Sequence, residues 1–490
     1  MRKTGIIFIL FVMVAVLSVG CSQAESLPPS LQPQFVDPIE QQEIPNPQEE
    51  QAVDVRPAAA EGAKEIEDQV ASENQEVVPE AEKASADTVA ENVRFPYPDA
   101  VRGVYVTGHS AGGSKFKELL ELVNSSDLNA MVIDVKDDYG WITFKMEGAL
   151  EPYSKPFIKD PSGLLQTLAD HQIYPIARIV VFKDSVLASR ATELSFKTSG
   201  QVWKNRRGEA FVNPFLKKVW EHNLEIAKHA AKLGFQEIQF DYVRFPEGFE
   251  KRDKTLSYGM GEYTPEKLEP RLLAEWETKY SKWEASHKEA WAQQRESLSP
   301  ADALDGSLTA PPVSIDLAGP PKPKYDAVKA RVTAVTDFVE YAKKELQPYN
   351  VKVSVDIFGY TATLPEAPGI GQNFTSISSH VDVISSMIYP SHWGAGYFQI
   401  PKPDTDPYRL VQEYAKMENQ KLAAMEAPPI SRPWIQDFTA PWLGKGNYIP
   451  YGKNEVELQI RALNEAGIKE FLLWNAGNSY TPNVDYTPLK

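Results

Sequence analysis

Cysteine is nearly absent: Cys21 is the only one in 490 residues. No internal disulfide can form, no thiol cluster can hold zinc, and no cysteine nucleophile exists beyond the N-terminal leader. Signature strings are missing as well. The chain has no phosphate loop and no His-Glu-x-x-His, and its seven histidines are scattered, which sets aside the commonest nucleotide and zinc-hydrolase sites. Asp134, Asp241 and His392 could meet around an ion in space, yet they have no ligand spacing along the chain, so neither a metal nor another cofactor is expected. Positive charge is also short, with 51 Lys and Arg against 67 Asp and Glu and a net charge of -16. Without a basic stripe, nucleic acid is not an expected partner.

That negative charge is unevenly placed. Residues 22–93 hold 17 of the acidic residues and three of the basic ones, and Arg2 and Lys3 sit in the leader, which leaves 50 acids and 46 bases from Arg94 onward. The segment 22–93 is rich in Pro, Glu, Gln and Ala, with Phe35 its one aromatic, so it cannot bury enough apolar surface to offset the entropy of ordering. It is expected to be a disordered, self-repelling linker. Ahead of it, Met1-Arg2-Lys3, the apolar run Gly5 to Val19 and Gly20-Cys21 read as a bacterial lipoprotein signal, residues 1–21, with Cys21 as the lipidated residue. The chain is therefore expected outside the cytoplasm, tied to a membrane by its lipid or secreted.

From Arg94 to Lys490 short β-branched runs alternate with amphipathic helical stretches, the pattern of repeated βα units. Eight strands are expected, at Arg102 to Thr107, Ala130 to Lys136, Tyr174 to Phe182, Glu237 to Phe245, Val351 to Gly359, Val383 to Tyr389, Pro433 to Phe438 and Glu470 to Trp474. The clearest helices between them are Lys217 to Leu233, Val328 to Leu346, Tyr408 to Ala423 and Glu455 to Ala466, and Gly234 and Gly467 are placed to cap two of them. Eight such units predict an α/β fold, a closed (β/α)8 TIM barrel. An open doubly wound sheet is the alternative, but no Gly-x-Gly-x-x-Gly turn follows the first strand. One interruption, 247–324, is far too long for an ordinary loop. It follows the fourth strand and so belongs at the barrel mouth. Trp276, Trp283 and Trp291 fall on roughly one face of its helical half, which points first to a helix packed on the barrel and second to a sugar-stacking platform.

Side chains of a barrel strand alternate between the axis and the helix layer. In the fourth strand Ile238, Phe240 and Tyr242 should face the helices and Glu237, Gln239 and Asp241 the axis. In the fifth, Lys352, Ser354 and Asp356 should face in, and in the second, Val132, Asp134 and Lys136. Inward carboxylates are costly unless paired, and Lys136, Arg178 and Arg244 are the cations at hand. The other strand ends supply Tyr389, His392 and Trp393, then Gln436 and Asp437, then Trp474 and Asn475. Aromatic faces interleaved with hydrogen-bonding groups suit a carbohydrate, which has apolar ring faces and many hydroxyls.

Several strings also point to a family. Arg102-Gly103-Val104-Tyr105-Val106-Thr107, Ala130 to Asp138, Phe240-Asp241-Tyr242-Val243-Arg244-Phe245-Pro246, Met387 to Trp393, Pro433 to Phe438 and Trp474-Asn475-Ala476 resemble the bacterial glycoside hydrolase-like domain, a (β/α)8 family. The resemblance covers nearly all of Arg94 to Lys490 and implies a barrel with glycosidase activity, without naming a substrate or settled catalytic residues. Glycoside hydrolysis uses two carboxyl groups, one to protonate the leaving oxygen and one to attack or to activate water. Asp241 is the expected nucleophile or base, kept ionised by Arg244. Asp356 on the adjacent strand is the expected acid, and Asp437 competes for that role. Asp134, Lys136, Arg178, Arg244, Tyr389, His392, Trp393, Gln436, Trp474 and Asn475 are the expected substrate-binding residues. A surface protein that binds envelope polysaccharide without cleaving it is the alternative.

Overall fold

A computed structural model describes residues 95–297 and 320–489, without the side chains of 289–297. The expected leader, Cys21, the linker, the Trp291 side chain and much of the second half of the insertion lie outside what it describes. Eight strands form the barrel: β1 (Arg102–Val106), β2 (Ala130–Lys136), β3 (Tyr174–Val180), β4 (Glu237–Asp241), β5 (Lys352–Phe358), β6 (Val383–Met387), β7 (Trp434–Gln436) and β8 (Phe471–Trp474). Each pairs in parallel with the next, and β1 pairs with both β2 and β8, so the sheet closes on itself. That closure rules out the open sheet. Two short strands, Ile142–Phe144 and Ser154–Ile158, extend the sheet from β2.

Besides three short helical turns at Gly108–Ala111, Ser185–Arg190 and Phe249–Arg252, the helices are α1 (Lys115–Asn124), α2 (Pro161–Asp170), α3 (Lys217–Leu233), α4 (Pro265–Ser297), α5 (Ala327–Leu346), α6 (Phe374–Ser378), α7 (Pro407–Ala423) and α8 (Lys453–Glu465). Local chemistry sets their ends. Asp160 and Asp326 accept the amides of Gly163 and Lys329 at the starts of α2 and α5, which satisfies donors that a first turn leaves orphaned. Gly234 closes α3 at φ 117°, a left-handed conformation that glycine adopts without strain. Outward strand residues such as Ile238, Phe240, Val353 and Val355 are fully buried against this layer.

The interior of β4 shows the alternation in full. Glu237 meets Arg432 at the N-terminal end, Gln239 donates to Ser385 in the middle, and Asp241 meets Arg178 at the C-terminal end. The insertion differs from its first expected packing. Among its described residues, Phe249, Tyr263 and, at the start of α4, Leu268 and Leu272 join the core. Trp276, Tyr280, Trp283 and His287 stack along α4 itself, and the Trp276 indole donates to Pro320 O at 2.6 Å.

Candidate active site

At the C-terminal end of the strands one guanidinium gathers several carboxylates. Arg178 of β3 donates through Nη1 to Asp134 Oδ1 of β2 at 2.7 Å, and through Nε and Nη2 to Asp241 Oδ2 of β4 at 3.0 and 2.6 Å. Asp138, just past β2, lies 3.5 Å from Arg178 and 3.3 Å from Lys183. Arg178, Asp134 and Asp241 are 1, 2 and 4% exposed. At such depth each charge needs a partner, and Arg178 serves as one for all three acids.

Asp356 stands beside this group with different company. In the register that pairs Phe240 with Val355, the next residues along are Asp241 and Asp356, on strands about 4.8 Å apart. The Trp434 indole donates to Asp356 Oδ1 at 2.7 Å. Burial first, and then the negative charge of Asp241, hold the Asp356 carboxyl well above the usual carboxylate range, whereas Asp241 is ion-paired to Arg178. The outcome is a neutral acid next to a paired carboxylate. Asp134 is intermediate: burial raises it to about 7 against the opposing pull of Arg178. For Asp138 the cations prevail over burial, and Lys183 and Arg178 hold it well below its ordinary value.

Aromatic rings line this centre. Tyr105 donates to Asp134 Oδ2 at 2.6 Å and stacks on Trp474 at 4.2 Å, and the Arg178 guanidinium lies 5.3 and 5.5 Å from these two rings. The Tyr389 ring lies 5.1 Å from His392 and 6.3 Å from Trp474. Burial, then Asp356 and Asp241, hold its phenol in the neutral form.

Several expected placements change. Lys136 does not reach the axis: a bulge between Asp134 and Lys136 shifts the register of β2 against β3, and its ammonium meets Asp184 at 2.6 Å and Asn223 of α3 at 2.8 Å, fully buried in the helix layer. The cation on Asp241 is Arg178, while Arg244 donates to Glu247 at 2.9 Å and to Phe245 O. Asp437 turns to the C-terminal segment, where Thr481 donates to it from both its hydroxyl and its amide. Trp393 packs on Tyr397, Phe398 and Tyr414 of α7. Gln436 is bound on all sides, by Ser391 N, Asp404 and Phe438 O, and Asn475 ties the loop after β8 through Asp437 O and Ser479 O. The polar atoms of Asp437, Gln436 and Asn475 are thus engaged within the mouth's walls. Tyr242, expected to face the helices, takes φ 51° and accepts from Lys183 through its hydroxyl at 3.2 Å.

With that geometry in view, comparison with known proteins places the sequence. Residues 103–480 match the family described as "Putative glycosyl hydrolase domain". The chain belongs to that family. No curated protein matches it. Among solved structures, a hypothetical protein from Ruminiclostridium thermocellum is 34% identical over 32% of this chain and 82% of its own, with a TM-score of 0.30. The PgaB (BpsB) glycoside hydrolase domain from Bordetella bronchiseptica is 14% identical over 77% and 94%, with a TM-score of 0.47. A chitinase from Chromobacterium violaceum is 10% identical over 79% and 97%, with a TM-score of 0.38. In this chain the matched domain is a closed barrel with carboxylates at its C-terminal mouth.

Three members of the centre escape sequence reasoning as site residues. Tyr105 sits in a strand that is apolar at Val104, Tyr105 and Val106 alike, so alternation assigns it no side. Asp138 and Lys183 follow their strands, where period two no longer applies. The adjacent pair Asp137-Asp138 after an inward Asp134 was the available signal.

Proposed function

We propose that this protein is a glycosidase that cleaves an extracellular or cell-envelope polysaccharide, with Asp356 as proton donor and Asp241 as nucleophile. The observation that carries this reading is the pairing on neighbouring strands of a carboxyl held neutral with a carboxylate bound to a cation, at the end of the barrel where such sites form. Membership of the glycosyl hydrolase family supports it independently. In the first step the Asp356 proton passes to the glycosidic oxygen, the C–O bond breaks, and Asp241 bonds to the anomeric carbon. Water then attacks that carbon, gives its proton to Asp356 and releases Asp241. The spacing of adjacent strands favours this retaining route over an inverting one. Trp474, Tyr389 and His392 offer ring faces to the sugar, and a Cys21 lipid would tether the barrel near its polymer.

Release of reducing ends from a panel of wall and capsular glycans tests the proposal. Asp241→Asn should lower turnover by about 10⁴-fold, the scale of losing a nucleophile. Asp356→Asn should lower it by roughly 10²- to 10⁴-fold and remove the alkaline limb of the pH profile. Full activity in a folded Asp241→Asn chain would reject the assignment. The depth of the cluster favours a second reading, in which the acids brace a polysaccharide-binding protein. Affinity for a glycan without products from the wild-type chain would select it.

A further inference from the structure

Beside the carboxylate pair lies a cleft between the segments that follow β3 and β4. Lys183, Arg207, Arg244 and Arg252 line it against two carboxylates, Glu209 and Glu247. The lining therefore has two positive charges in excess, in a region of sequence, from Arg94 on, where acids outnumber bases by 50 to 46. The cations rest on rings: the Arg252 guanidinium lies 5.6 Å from Trp203, that of Arg244 4.8 Å from Tyr242, and the Lys183 ammonium 4.5 Å from the same tyrosine. Stacking of this kind orients a guanidinium, and the two acids of the lining are shared among three of its cations, Glu209 between Lys183 at 3.1 Å and Arg207 at 3.3 Å and Glu247 with Arg244 at 2.9 Å. The cleft is also joined to the reaction centre. Tyr242 follows Asp241, which accepts its amide at 2.5 Å, and Lys183 and Arg178 share Asp138.

We infer that this cleft is a subsite for an acidic sugar, one bearing a carboxylate or a phosphodiester, so that the substrate is an anionic polysaccharide. The inference rests on the glycosidase reading and narrows it. Hydroxyls alone need neutral donors and acceptors; an excess of cations beside stacking rings matches a ring that carries negative charge.

The test uses the full Asp241→Asn chain, which can bind without turning over, and calorimetric titration with four probes: polygalacturonate oligomers, a glycerol phosphate-bearing wall glycan, neutral β-glucan oligomers and cationic chitosan oligomers. At least one of the two acidic probes should bind at least about tenfold more tightly than the neutral one, and more weakly as salt rises. Which acidic probe binds identifies the carboxylate or the phosphodiester. Arg207→Gln and Arg252→Gln should each weaken that binding by about tenfold, the scale of a charge-assisted hydrogen bond, with circular dichroism showing an unchanged fold. Equal affinity for neutral and acidic probes, preference for chitosan, binding of none of them, or insensitivity to both arginine substitutions would each overturn the inference. Tight acidic binding without reducing ends from the wild-type chain would instead overturn the glycosidase reading alone.

Discussion

The barrel holds a buried arginine at each end, and the two are used differently. At the N-terminal end Arg432 donates to Glu237 at 2.7 Å, to Glu470 at 2.8 Å and to the Tyr97 hydroxyl at 2.7 Å. At the C-terminal end Arg178 serves Asp134, Asp138 and Asp241, while Asp356, a fourth acid beside them, takes its hydrogen bond from Trp434. The lower cluster links β4 to the segments entering β7 and β8 and to the start of the domain. It acts as a brace. The upper cluster sets four acids against two cations, Arg178 and Lys183, and burial with the charge of Asp241 holds Asp356 well above the usual carboxylate range. In (β/α)8 barrels the C-terminal face carries chemistry and the opposite face stability, and here the raised carboxyl of Asp356 marks the C-terminal one.

Removing each arginine should break that comparison cleanly. Arg178→Met leaves Asp134 and Asp241 without their main cation, so activity should fall by about 10³-fold or more, together with a stability loss of about 3–5 kcal/mol. Arg432→Met should cost a similar 3–5 kcal/mol in urea unfolding, yet turnover per folded molecule should stay within about twofold of wild type. If Arg178→Met folds and works normally, the upper cluster is a second brace.

Much of this layout is legible in the sequence where a strand keeps strict period two. In β4 and β5 alternating apolar residues face the helices and so direct Glu237, Gln239, Asp241 and Asp356 inward. The same rule fails where the backbone leaves the pleat. The bulge in β2 sends Lys136 to Asp184 and α3, and the left-handed φ of Tyr242 turns its ring into the mouth. Both are single-residue backbone events with no glycine to announce them. Beyond the strand ends, pattern gives way to tertiary context: nothing local tells that Asp437 will meet Thr481, 44 residues later, or that Trp393 will pack on α7. The fold rests on a repeated pattern and tolerates such slips. A site resting on five or six side chains does not.

A smaller change sharpens the upper half of the comparison. The indole hydrogen bond from Trp434 favours the ionised form of Asp356 and opposes burial. In Trp434→Phe that pull is lost, so the Asp356 carboxyl should rise further. If Asp356 is the proton donor, the alkaline limb of kcat/KM moves to higher pH, because the protonated form persists longer. An alkaline limb unmoved in an active Trp434→Phe protein would assign that limb to another group.

Glu418 supplies the mildest contrast, a buried carboxyl surrounded by hydroxyls and not by a cation. It lies in α7, fully buried, and accepts from Ser386 at 3.3 Å. Burial raises it from 4.5 to about 7. The folded chain therefore binds a proton that the unfolded chain releases near pH 4.5. Its contribution to stability is present in full below pH 4.5 and is lost as pH rises through about 7. Relative to Glu418→Gln, which stays neutral throughout, wild-type stability in urea should thus decline between pH 4.5 and 7 and run level above. Parallel curves for the two proteins would mean that this carboxyl titrates alike in both states, and that burial without a cation is less costly here than at either arginine.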